Sequence, residues 1–209
     1  MKNKLIIAGP GTGKTTALIN NIYEASKKKD SKSFIISTFT RKAASELISR
    51  IDKDQRFAES FKRKNNLINT IHSISHSLLT NFSNSVACEI ISEDKLLRFI
   101  EARSTLIGLN DGGYNWHKLD NAMLIFNLIT DNQIDLDHLQ DQLAEADEEI
   151  QIIASSYSRY KNSLDRNKRY DFASIQLKLL QNLRENSDFQ NQIIKNYSEV
   201  FIDEFQDIN

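Results

Sequence analysis

The chain has one cysteine, Cys88, and one proline, Pro10, in 209 residues. A single cysteine excludes an internal disulfide, which suits a reducing cytosol; its ordinary role is that of a small buried hydrophobe. One proline and six glycines leave few chain breakers, so a largely helical protein is expected. No segment approaches eighteen consecutive apolar residues, and residues 1–4 lead straight into an apolar run and a glycine-rich turn. No signal peptide, transit peptide or membrane span is read, and a cytoplasmic location is expected. Strong charge of either sign is also missing. A net charge of −1 gives no global pull towards nucleic acid or membrane, so a nucleic-acid site must come from a local patch.

What is present is ordinary globular composition, with 40% apolar and 26% charged residues. Residues 5–8 (LIIA), 34–38 (FIIST), 67–71 (LINTI) and 200–203 (VFID) read as short strands, with helices after the first two. Strands separated by helices predict an α/β fold with a parallel sheet, and continuous apolar runs fit strands covered on both faces. Between residues 73 and 197 helical periodicity takes over, as in Leu96, Leu97 and Ile100 and again in Ile175, Leu179 and Leu183. This block is too long for a loop and predicts a helical subdomain inserted between two strands. Residues 110–113 (NDGG) are its clearest turn signal. Residues 131–149 hold eight acids and no Lys or Arg, which reads as a solvated helix face before a docking surface.

The strongest motif is AGPGTGKTT at residues 8–16. A glycine-rich turn after a strand, then Gly-Lys-Thr opening a helix, is the P-loop pattern, here with Ala8 at the first position. Gly9, Gly11 and Gly13 let backbone N–H groups turn inward, and Pro10, Thr12 and Thr16 complete the cradle. Lys14 reaches the β- and γ-phosphates, and the Thr15 hydroxyl can ligate Mg²⁺. Such a site needs a second strand ending in an acid, and Asp203 after the run at 200–202 fits. Glu204 beside it is placed to orient or deprotonate a water.

Four blocks together resemble the UvrD/Rep/PcrA-like superfamily 1 DNA helicases. AGPGTGKTT is similar to that family's motif I, TFTRKAASELISRI (38–51) to motif Ia, TIHSISHSLL (70–79) to motif Ib and FIDEFQD (201–207) to motif II. A further run, YSRYKNSLDRNKRYDFASI (157–175), resembles the helical segment before motif II. The resemblance implies a RecA-like domain made of residues 1–72 and 198–209, with residues 73–197 as its helical 1B insert. It implies ATP and Mg²⁺ as cofactors, with Lys14, Glu204 and Gln206 catalytic and Thr15 and Asp203 holding the metal. Phe39, Thr40 and Arg41, with Thr70, His72 and Ser73, would line a single-stranded DNA path.

The residues alone leave some of this open. Phe39 reads equally as a ring that stacks on a base or one that packs in the core, and His72 reads first as a hydrogen-bonded structural histidine. Arg41, Lys42, Lys62, Arg63, Lys64, Arg166, Lys168 and Arg169 are candidates for phosphate contacts or solvated charges. The resemblance further implies a second RecA-like domain carrying arginine fingers, in the same chain or in a partner. The expected function is the first motor domain of an ATP-driven 3′-to-5′ DNA translocase, serving repair, replication restart or phage defence. On its own it is expected to be near-inactive. The alternative is a nucleotide-binding switch or scaffold without turnover. Only residues 1–4 precede the first strand, so the glutamine with which this family reads adenine has no counterpart, leaving base preference open.

Overall fold

The computed structural model describes residues 5–7, 12–28, 32–62, 64–83, 89–109, 116–135 and 148–205. Ala8, Gly9, Pro10, Gly11, Arg63, Cys88, Gln206, the turn at 110–113 and residues 136–147 of the acidic run lie outside the described residues. The chain divides into two compact units, residues 1–78 with 186–209, and residues 79–185.

The first unit is built on three parallel strands, β1 (Ser33–Thr38), β2 (Leu67–Thr70) and β5 (Tyr197–Ile202), in the order β2-β1-β5. Phe34, Ile35 and Ile36 of the central strand are all buried, as the unbroken apolar run predicts for a strand covered on both faces. Helix α1 (Lys14–Ser26) buries Leu18, Ile19, Ile22 and Ala25 along one stripe, and α2 (Arg41–Lys53) buries Ala44, Leu47 and Ile51 at the same helical spacing. Short α3 (Glu59–Lys62) contributes Phe61. Phe34 sits between Phe61 and Phe201, with ring centres 5.3 and 5.5 Å away. Burying each such ring contributes about 1.5–3 kcal/mol.

Two expectations are corrected here. Residues 5–7 form no strand: Leu5, Ile6 and Ile7 are 66, 40 and 88% exposed, so the run lacks the two-sided burial that its strand reading assumed. The division expected at residues 73–197 falls instead at 79–185. The first turns of α4 (Ile71–Phe82) and the helix Ser187–Asn196 belong to the first unit, where Phe189 is buried.

The second unit is helical, with α5 (Glu93–Glu101), α6 (Ser104–Ile107), α7 (Trp116–Asp131), α8 (Glu148–Arg166) and α9 (Phe172–Glu185); the helix Ser187–Asn196 is α10. It also holds one parallel pair too short to read from sequence, β3 (Glu89–Ile90) with β4 (Arg169–Tyr170). Its core stacks Phe126 on Tyr160, ring centres 4.4 Å apart, beside Ile100, Ile107, Ile153 and Leu164. Gly108 closes α6 at φ 86, a left-handed conformation that calls for glycine; an added Cβ would lie 2.9 Å from the Arg159 guanidinium, the movable end of a long side chain, so conformation rather than room decides.

Polar groups in this core converge on Asp171. Its Oδ1 accepts the Ser174 N–H at 2.6 Å, capping the start of α9, and its Oδ2 accepts the Tyr160 hydroxyl. Burial, with the Asp171 charge beside it, pushes the Tyr160 hydroxyl well above the ordinary tyrosine value. Asp171 and Tyr160 are 3% and 1% exposed, so neither finds water as a substitute partner. Asp171→Ala is expected to lower unfolding stability by about 2–4 kcal/mol, through the lost cap and an orphaned Tyr160 hydroxyl. Urea denaturation followed by circular dichroism checks it; an unchanged midpoint would contradict it.

Candidate functional site

Parallel strands deliver their carboxyl ends to one edge of the sheet, and in open α/β sheets that edge is where ligands bind. Thr38 of β1 stands level with Thr70 of β2, and Ser37 with Ile202 of β5. Residues 39–41, 71–73 and 203–205 therefore leave the sheet together.

Asp203 is fixed there by backbone. Its N–H donates to the Ser37 carbonyl at 2.8 Å, one rung beyond the end of the β5 ladder. Helix α1 starts at the same edge: Lys14 Nζ donates to Glu204 Oε2 at 3.3 Å, in an ion pair whose side chains are 30 and 38% exposed. The structure thus brings Lys14 of the glycine-lysine-threonine motif against Glu204 of the acid pair, with Asp203 adjacent in the chain. Glu204 adopts φ 52, a left-handed conformation that a side chain with a Cβ rarely takes.

The helix start has the features of an anion site. Gly13, the N-cap of α1, holds φ 81, ψ 28 and has no side chain with which to cap the helix. A Cβ at Gly13 would meet nothing closer than Thr16 Cβ at 4.0 Å, so conformation rather than room calls for glycine. Lys14 and Thr15 are half-buried, while Thr12 and Thr16 are exposed. A helix start presents backbone N–H groups and the positive end of the helix dipole. Burial pushes the Asp203 carboxyl above its ordinary value, the Glu204 charge adds to that, and a backbone hydrogen bond and Lys14 oppose it. A half-buried carboxylate next to a second one is a donor set that favours a cation. These residues fit a Mg²⁺-nucleotide: Lys14 for phosphate, Thr15 and Asp203 for metal.

The proposed strand-contact residues gather at the end of the sheet where β1 and β2 finish. Phe39 is 61% exposed, which removes the core alternative. Thr40 caps α2, its Oγ1 accepting the Ala43 N–H at 3.1 Å, and Arg41 opens that helix on the exposed side. Thr70 and Ser73 share a hydroxyl contact of 3.2 Å, and His72 is half-buried in α4. Among the basic candidates, Lys62 donates to the Asp52 carbonyl and Arg169 pairs with Glu89, so both have partners within the fold. Sequence reasoning missed Ser37 and Thr38, each 3% exposed. Their signal was present: two hydroxyl residues closing an otherwise apolar strand.

A parallel sheet that sets a Gly-Lys-Thr helix start against an acid pair on another strand defines a P-loop α/β domain. The chain belongs to the UvrD/REP helicase N-terminal domain family, whose model matches residues 1–209. It is 32% identical over 98% of its length to a probable DNA helicase II homolog of Mycoplasma genitalium, and 24% identical over 99% to DNA helicase II of Escherichia coli. With the ATP-dependent DNA helicase srs2 of Schizosaccharomyces pombe it shares 27% identity over 97% of its length. The chain spans 30, 28 and 24% of these three relatives. Among the described residues no helix is long and apolar enough to cross a membrane.

The raised Asp203 value sets a sign for stability. The fold disfavours the charged carboxyl, so Asp203→Asn is expected to raise the thermal midpoint of the nucleotide-free protein at neutral pH. As pH falls through the raised value, the native carboxyl takes its proton, and the advantage of the variant shrinks. Melting curves across pH check this. A lower midpoint for the variant at neutral pH would show that the Asp203 charge holds the fold together.

Proposed function

We propose that this chain is the first motor domain of an ATP-dependent 3′-to-5′ single-strand DNA translocase of helicase type, active once a second motor domain is joined to it. The carrying observation is the Lys14–Glu204 pair, with Asp203 beside it, at the same sheet edge from which residues 39–41 and 71–73 emerge. Family membership supports the nucleotide and DNA parts of this reading, and the relatives' greater length supports the need for further domains.

Each residue has a role in the proposal. The N–H groups opening α1 and the Lys14 ammonium hold the β- and γ-phosphates; Thr15 and Asp203 hold Mg²⁺. The metal neutralises phosphate charge when bound. Glu204 orients a water and accepts its proton, for which it must first release Lys14. Phosphates competing for the same ammonium supply that release. Gln206, outside the described residues, is assigned to the γ-phosphate or the water. Phe39 offers a ring on which a base stacks, worth about 1–3 kcal/mol, and Arg41 a charge for the strand's phosphates. Repair-type DNA processing is the setting that best fits the relatives.

Hydrolysis also requires cationic stabilisation of the transferring phosphoryl group, and arginine fingers supply about 10³–10⁵ in rate. That is roughly 4–7 kcal/mol of barrier. Residues 1–209 are therefore expected to bind Mg²⁺-nucleotide while turning it over near background. Lys14→Ala should abolish binding, and Asp203→Asn should remove its Mg²⁺-dependent part. Calorimetric titration with ADP, with and without Mg²⁺, reads both; wild-type affinity in Lys14→Ala would sink the assignment.

The strand path has its own test. Arg41→Ala is expected to weaken all single-stranded sequences alike and to flatten the log–log salt dependence by about 0.7. Fluorescence anisotropy of labelled oligonucleotides over a salt series measures it, and an unchanged slope would remove Arg41 from the path.

A further inference from the structure

Thr38 carries a buried hydroxyl, 3% exposed, at the last position of β1. Its Oγ1 donates to the Thr40 carbonyl at 3.0 Å. That carbonyl also accepts the Ala44 N–H at 3.0 Å, the first rung of α2. The Thr40 hydroxyl in turn accepts the Ala43 N–H. The chain is pinned on both sides of Phe39, whose ring is 61% exposed. On its other side, Thr38 follows Ser37, whose carbonyl holds the Asp203 N–H.

An exposed aromatic ring on an unrestrained turn gains by folding back onto apolar surface, so holding it outward is a matter of backbone geometry. The Thr38 hydroxyl ties the turn across Phe39 to the buried strand end. We propose that Thr38 is a positioning residue: its hydroxyl sets residues 39–41 in the conformation that engages single-stranded DNA. This rests on the assignment of Phe39 and Arg41 to the strand path. Preorganisation of this kind raises affinity without adding any contact to the ligand. A purely structural threonine would act on stability alone. The hydrogen bond is not needed to satisfy the Thr40 carbonyl, which keeps its Ala44 partner, and valine retains the branched shape that suits a buried strand.

The test compares wild type, Thr38→Val, Thr38→Ser and Phe39→Ala as the full chain. Binding of a fluorescent single-stranded oligothymidine is read by anisotropy, Mg²⁺-ADP binding by calorimetry, and folding by thermal melting. Thr38→Val is expected to weaken oligothymidine binding roughly three- to tenfold, the range of one neutral hydrogen bond. Its Mg²⁺-ADP affinity should stay unchanged, Thr38→Ser should restore strand affinity, and Phe39→Ala should weaken it. Wild-type strand affinity in Thr38→Val alongside a weakened Phe39→Ala would overturn the positioning role. So would a Thr38→Ser variant as weak as Thr38→Val, or a parallel loss of Mg²⁺-ADP affinity. Wild-type affinity in Phe39→Ala would overturn the strand assignment itself, and the inference with it.

Discussion

The site depends on one backbone hydrogen bond, from the Asp203 N–H to the Ser37 carbonyl at 2.8 Å. It extends the pairing of β5 with β1 beyond the last ladder residue and so fixes where the acid pair leaves the sheet. Without it, nothing in the β1–β5 ladder would set where Asp203 and Glu204 leave β5, and Lys14 would face an acid of no fixed position. The two strands it joins are far apart in sequence, with a whole helical unit between them. Loop-closure entropy grows only with the logarithm of loop length, so the insertion costs little once the sheet pairs. The buried ring of Phe34 and the partly buried ring of Phe201 supply attraction between those strands.

On that anchor the sequence places groups that do not suit one another. Two acids stand side by side, and the first is half-buried, so its charge is disfavoured. The second takes a left-handed backbone, which costs an ordinary residue about 1–2 kcal/mol. One lysine, itself partly exposed, offsets only part of this, because screening by water weakens the pair. A structural turn would avoid all three costs with a glycine or asparagine at 204 and a neutral residue at 203. Their concentration at one sheet edge, beside the start of α1, is what the proposed phosphate and metal site would require.

Much of this was legible because its signals are local. Glycine, lysine and threonine in consecutive positions carry their own geometry, as does an acid pair after an apolar run; that the two should lie close followed from chemistry, while the direct Lys14–Glu204 pair was not foreseen. Phe39 was not legible, since exposure at a strand end depends on which layers cover it, and sequence periodicity is silent at a turn. The run at 5–7 shows the opposite error: apolar character implied burial that the described structure does not provide. Two-residue strands such as β3 and β4 are too short for any alternation to register. The boundary near residue 186 was missed because α9 and α10 are both amphipathic and almost contiguous; Asn186, which caps α10, was the available signal.

Sharing one strand has a consequence for how the two proposed activities communicate. Ser37 holds the acid strand, Thr38 ties down the next turn, and Phe39 is exposed immediately after, so the nucleotide and strand elements are two residues apart along β1. At about 3.3 Å per residue that is some 7 Å. On the proposed reading, coupling over such a distance would need no chain of intermediates: a displacement of residues 203 and 204, when phosphate takes Lys14 from Glu204, would act on the strand end that presents Phe39. The parallel sheet makes this arrangement hard to avoid, because every strand end that can carry a ligand group lies at the same edge. Burial holds β1 through Thr38, and the Thr38 hydroxyl carries that hold one turn further, across Phe39. On the proposed reading, the turn at residues 39–41 would lie between the nucleotide and the DNA strand.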